Sequence, residues 1–222
     1  MSFIINIDTS LETASVSISK DGVILSFLIN EIQREHASFV HIAIKELLAK
    51  EKLTVKNLSA IAVTIGPGSY TGLRVGLAAA KGLCYALNIP LITVSTLQMM
   101  AKDAMRNEEN ATALLFCSLI DARRMEVFTA IYDRNMVEIL PPNAQILTPQ
   151  SFAEILKEKK IMFFGSGMIK WKAISTESNA LFCESRNVYN ALNIISFNKF
   201  LNLDFSNLIE VLPQYTKAFY NA

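Results

Sequence analysis

An apolar strand, Ala60 to Ile65, runs into Gly66-Pro67-Gly68-Ser69 and then into a predicted helix from Thr71 to Leu87 that carries Gly72, Gly76 and Gly82. Few folds accept that combination. Each glycine inside a helix costs roughly 0.5–1 kcal/mol relative to alanine, so a helix that keeps Gly76 and Gly82 needs another backbone close against it. On a helical wheel Gly72, Gly76, Ala79, Ala80 and Leu83 share one face, with Leu73 at its margin, while Arg74, Lys81 and Tyr85 form a narrow opposite strip. A helix apolar nearly all round meets other protein on two sides. One side is its own sheet. On the residues alone the second is either internal or a partner helix. The glycine-rich turn also has two readings. Backbone amides at a helix start hold anions, or the glycines only allow a tight turn. No Gly-Lys-[Ser/Thr] follows, so the segment is not a P-loop.

The flanking pattern predicts an α/β chain whose plan recurs. Phe3 to Ile7 is a strand ending at Asp8, and Ala14 to Ser19 and Val23 to Ile29 flank an Asp21-Gly22 hairpin turn. A helix over Arg34 to Leu53 places Ala37, Val40, Ile44, Leu47 and Leu48 at helical spacing, with Phe39, Ile42 and Ala43 on a neighbouring face. Leu91 to Val94 is a strand, and Ser95 caps a helix running to about Arg106. The plan then restarts: a strand Ala113 to Ile120 ending at Asp121, a hairpin of Met125 to Tyr132 with Met136 to Leu140, a short helix after Pro149, a strand Ile161 to Phe164, Gly165-Ser166-Gly167, and a helix Val188 to Leu201. The charged segment 106–112 divides the two copies, which predicts lobes of 1–108 and 109–222. Asp8 with Thr9, Asp121, and Gly165 with Gly167 form an ordered trio suited to a nucleotide. Each member alone is weak, because an Asp at a strand end is more often a turn former.

Composition bounds the rest. Apolar residues make up 51% of the 222 and charged residues 18%, with mean hydropathy +0.31, so the apolar excess is either buried or covered by a partner. No apolar run approaches the roughly 18 residues of a membrane span. A net charge of +1 without clustered Lys/Arg argues against a stand-alone nucleic-acid binder. Cys84, Cys117 and Cys183 lack metal spacing and read as buried free thiols. The N-terminus reads as a first strand and not a leader, so a cytoplasmic location is expected. His36 and His41, the only histidines, are five residues apart and cannot chelate one metal as an i, i+4 pair would. One is expected at the surface and one in packing.

The run IGPGSYTGLRVGLAAAKGL (65–83) resembles the signature of the TsaB family. IDTS (7–10), REH (34–36), VSTL (94–97), IDARRMEV (120–127), FFGSG (163–167) and PQYTK (213–217) follow in that family's order over nearly the whole chain. The resemblance implies two RNase H-like lobes of the actin, hexokinase and heat-shock-chaperone ATPase superfold, with mixed sheets flanked by helices. It implies a non-catalytic subunit that pairs, through helices of its first lobe, with a TsaD-like catalytic subunit bearing the metal-binding histidines. With a TsaE-like ATPase, that complex transfers a threonylcarbamoyl group to N6 of the adenosine 3′ of the tRNA anticodon. Here Met125 stands where the family usually has Gly, and Lys217 where it usually has Arg.

The expected partner interface is therefore Gly72, Leu73, Gly76, Ala79, Ala80 and Leu83, with Phe39 and Ile42, and the same face is available for a homodimer. A bulky charge at Gly76 or Ala80 is expected to abolish pairing and spare the fold. Asp8, Thr9, Asp121, Gly165 and Gly167 are the expected vestigial nucleotide site. No metal, no membrane and no tightly held cofactor are expected, with ATP or ADP confined to the complex interface and tRNA met through the complex. Two competing readings are an independent ATP-dependent kinase or ATPase, and a glycoprotease-like metallopeptidase.

Overall fold

Residues 1–107, 114–183 and 188–216 are described by a computed structural model. Two five-stranded sheets are each built by the same plan. In the first, β1 (Phe3–Asp8), β2 (Ala14–Lys20) and β3 (Val23–Asn30) form an antiparallel meander. β4 (Ala60–Gly66) and β5 (Leu91–Ser95) extend it in parallel, giving the order β3-β2-β1-β4-β5. In the second, β6 (Leu114–Asp121), β7 (Glu126–Tyr132) and β8 (Glu138–Ile146) repeat the meander, and β9 (Lys160–Phe164) and β10 (Ala180–Phe182) repeat the parallel extension. The recurrence expected from Asp8 and Asp121 is thus a recurrence of topology.

The first sheet shows why alternation matters. On β2, Val16 and Ile18 point to one face and Ser15, Ser17 and Ser19 to the other, and all five are buried. The apolar face packs under α1 (His36–Lys50) and α2 (Tyr70–Leu87), through Val40, Ile44 and Leu47 of α1 and Leu77 and Ala80 of α2. The serine face faces a polar partner instead. Helix α6 (Val188–Leu201) brings Ser196 Oγ to Asn6 Oδ1 (2.5 Å) and Asn193 Nδ2 to the Gly22 carbonyl (2.7 Å), and Tyr189 stacks on Phe27.

That packing corrects the expected division at 108/109, which itself lies outside the described residues. The two compact units are 1–96 with 189–214, and 97–188 with 215–222. The polar face of β1 and β2 recruits α6 to the first unit, and chain order does not decide membership. The segment after α6 is also fastened there: Ser206 N–H donates to Leu91 O (2.9 Å), Gln214 N–H to Ile65 O (2.6 Å), and Lys81 Nζ to the carbonyls of Ile209 and Val211 (3.2 Å each).

In the second unit, α3 (Thr96–Asn107) is pinned by Ser118 Oγ donating to Leu97 O at 2.7 Å. The short helices α4 (Ala153–Leu156) and α5 (Met168–Ile174) contribute to an aromatic core of Phe152, Phe163 and Trp171, with ring centroids 5.2–5.7 Å apart. Three features differ from the sequence reading. α5 and β10 were not expected, and β8 continues past Pro141-Pro142, as edge strands allow. No helix among the described residues is long and apolar enough to cross a membrane.

Candidate functional site

The glycine stripe of α2 faces the chain itself. Ser69 caps the helix, accepting from the Gly72 N–H (3.3 Å), and Asn88 closes it in a left-handed conformation. A Cβ placed on Gly72 would stand 2.0 Å from the Thr9 carbonyl oxygen, and one on Gly76 2.4 Å from Thr9 Oγ1. Thr9 Oγ1 donates to the Gly72 carbonyl at 2.7 Å. The close neighbour that these glycines demand is therefore the end of β1. Gly72, Leu73, Gly76, Ala79 and Ala80 are all buried in their own unit. The expected interface is corrected at these five positions, because their surface is already covered. A charge at Gly76 or Ala80 would break the fold and report nothing about pairing.

The open side of α2 lies a quarter turn away. Gly82 is exposed, and a Cβ there meets nothing within 4 Å. Ala78 and Tyr85 are exposed beside it, Tyr85 at 83%. Together with α1 they border a groove of ≈ 480 Å³ lined by Ala37, His41, Val75, Ala78, Ala79, Gly82 and Leu83. Leu83 and Phe39 are half-buried and Ile42 is 56% exposed, so three of the eight expected residues keep accessible surface on these helices. Sequence reasoning missed Ala78 and Gly82. The signal was present: Gly82 is off the Gly72–Gly76 stripe, and its cost to the helix had no internal explanation.

The members of the expected nucleotide trio are each engaged within their own unit. Asp8 is fully buried, and its Oδ1 accepts from Ser10 N–H (2.9 Å), Ser10 Oγ (2.6 Å) and Thr64 Oγ1 (2.8 Å). Thr9 is committed to α2. Asp121 is exposed and holds Lys170 Nζ at 2.5 Å. That ammonium holds the Asp121 carboxyl below its usual range. A Cβ at Gly165 would lie 2.4 Å from the Leu119 carbonyl, and one at Gly167 2.7 Å from Val127. These two glycines let the turn after β9 approach β6 and β7, and they do not clear room for a ligand.

Burial pushes the Asp8 carboxyl up from its ordinary value, against its three hydrogen-bond donors and the charge of His36. A raised folded pKa stabilises the fold only at low pH, and that contribution is lost as pH rises through it. Asp8→Asn keeps an Oδ1 acceptor and removes the buried charge. It is expected to be at least as stable as the parent at neutral pH, with the advantage shrinking as pH falls toward the carboxylate range. Urea unfolding at neutral and mildly acidic pH checks this, and a large loss at neutral pH would refute it.

His36 is buried and His41 is exposed, as their spacing suggested. Among the described residues no three His, Cys, Asp or Glu side chains come together as a metal site. Burial pushes the Cys84 thiol up to about 11 and the Cys117 thiol up to about 12, so neither is reactive. Cys183 is only half-buried, unlike the expectation.

A family model described as "TsaD: tRNA N6-adenosine threonylcarbamoyltransferase" matches residues 27–194. The TsaB protein of Buchnera aphidicola subsp. Schizaphis graminum is 31% identical over 206 residues, covering 87% of this chain and 91% of that one. The Escherichia coli K12 TsaB is 32% identical over 179 residues, covering 79% and 76%. A crystal structure from Pseudomonas aeruginosa, of an uncharacterised protein with similarity to the peptidase YeaZ, superposes with TM-score 0.81 at 25% identity, covering 98% of this chain and 100% of that one. An Arthrobacter inorganic polyphosphate/ATP-glucomannokinase shares the fold at TM-score 0.54 and 12% identity. With one sheet plan repeated in both units and the TsaB relatives spanning most of its length, the chain belongs to the TsaB family, named for tRNA threonylcarbamoyladenosine biosynthesis.

Proposed function

We propose that this chain is the partner subunit of a tRNA N6-threonylcarbamoyladenosine synthesis complex, pairing with a TsaD-like catalytic subunit in the cytoplasm. The observation that carries the reading is the open face of α1 and α2 around Gly82, on a chain of this family. A helix surface of Gly82, Ala78 and Val75 beside Ala37 lets a second helix approach closely, and Tyr85 and Ile42 supply apolar area at its edge. The chain alone holds no nucleotide tightly, because Asp8 and Thr9 face inward and Asp121 is engaged by Lys170. Nucleotide belongs to the complex interface, a TsaE-like ATPase joins the complex, and tRNA is met through it. Without its partner the chain uses the same face to pair with itself.

The test is reconstitution. The chain and a TsaD-like subunit are expected to co-purify, and threonylcarbamoyl transfer to tRNA is expected to require both. Transfer by the catalytic subunit without this chain would overturn the reading. So would tight binding and turnover of ATP and magnesium by the chain alone, measured by calorimetry and phosphate release.

A further inference from the structure

Two hairpin loops in this chain each hold two consecutive residues at positive φ, with opposite chemistry. Between β2 and β3, Asp21 and Gly22 take φ of 48° and 82°. Between β6 and β7, Arg123 and Arg124 take φ of 72° and 47°. Consecutive left-handed residues are the signature of turns that favour Asn-Gly or Asp-Gly, and a side-chain-bearing residue in that conformation costs roughly 1 kcal/mol or more. The first hairpin uses the favoured pair. The second carries two arginines, which local structure does not explain.

We propose that the Arg123-Arg124 turn is a contact for RNA phosphate, engaged when tRNA is held by the complex; the proposal rests on the function inferred above. Both side chains are exposed. No ion pair holds either guanidinium among the described residues. Asp121, the carboxylate two residues earlier, takes the Lys170 ammonium (2.5 Å) and the Arg123 backbone N–H (2.6 Å), so its charge does not quench the turn. Two guanidiniums on a rigid hairpin suit phosphate oxygens, which they grip with paired N–H donors. A net charge of +1 over the chain makes this an anchor of one or two phosphates and not a binding surface. Such a contact sets where the RNA lies and reads no sequence.

The Arg123→Asn/Arg124→Gly double variant separates structure from function, because it installs residues that accept positive φ at lower cost than arginine. Its melting temperature is expected to rise, and co-purification with the TsaD-like subunit is expected to be unchanged. Binding of an unmodified tRNA by the reconstituted complex, followed by anisotropy against salt, is expected to weaken about tenfold at low salt, with the log–log salt slope reduced by roughly one to two. Unchanged tRNA affinity and slope in a complex that forms normally would overturn the phosphate contact alone. Lost co-purification would place the turn in the protein interface and overturn it likewise. Failure of the unaltered complex to form or to bind tRNA would overturn the underlying function together with this contact.

Discussion

Gly72→Ala is expected to destabilise the protein by about 3 kcal/mol, which in a chain of this size lowers Tm by roughly 10 °C. The added Cβ would stand 2.0 Å from the Thr9 carbonyl oxygen, and that oxygen has nowhere to retreat. Thr9 is fully buried at the end of β1, its hydroxyl donates to Gly72 O, and Ser10 beyond it is tied to Asp8. Relief requires α2 to move off the sheet, which would uncover Leu73, Leu77 and Ala80. Gly82→Ala, in the same helix, is the control. Its Cβ meets no atom within 4 Å, so the variant is expected to gain up to about 1 kcal/mol from helix propensity alone. Thermal denaturation of both proteins decides the matter: two similar melting temperatures would mean that α2 does not sit on Thr9.

That contrast also marks where the sequence was legible. The strands other than β10, the hairpins and the helices α1, α2, α3 and α6 were readable from period and punctuation, because burial on one face writes an alternation into the chain. The wheel of α2 correctly grouped Gly72, Gly76 and Ala80, but a wheel records direction and not what lies there. A small-residue stripe is the same whether its neighbour is a partner helix or the strand end eight residues after the N-terminus. Asp8 and Asp121 were found as topological equivalents, yet their partners Thr64 and Lys170 come from distant strands and helices, and only the fold joins them. The transfer of α6 to the first unit had a trace in the sequence. Ser15, Ser17 and Ser19 make one face of β2 polar while Val16 and Ile18 fill the other, and Asn193 and Ser196 lie three residues apart on one side of α6. Where the two faces meet, Ser196 Oγ is bonded to Asn6 Oδ1 and Asn193 Nδ2 to the Gly22 carbonyl, which lowers the cost of burying those groups.

Gly82→Arg is expected to leave the fold intact and to abolish pairing. The position is open, and arginine is a better helix former than glycine by about 0.5–1 kcal/mol, so the melting temperature should hold or rise. The new side chain, however, lies over the groove bordered by Ala37, Val75, Ala78 and Leu83. A partner helix would have to bury a guanidinium among apolar groups with no counter-charge, or stand off and lose the close backbone approach. Burying an unpaired charge is strongly penalised, and a loss of about 3 kcal/mol is more than a hundredfold in affinity. Co-elution with the TsaD-like subunit, and tRNA modification with it, should therefore disappear from a protein that melts like its parent. Ala80→Arg cannot make this distinction, since Ala80 is fully buried and its replacement damages the unit before any partner is met. A well-folded Gly82→Arg protein that still pairs with undiminished affinity would move the interface off these helices. The small residues at 78 and 82 would then need another explanation.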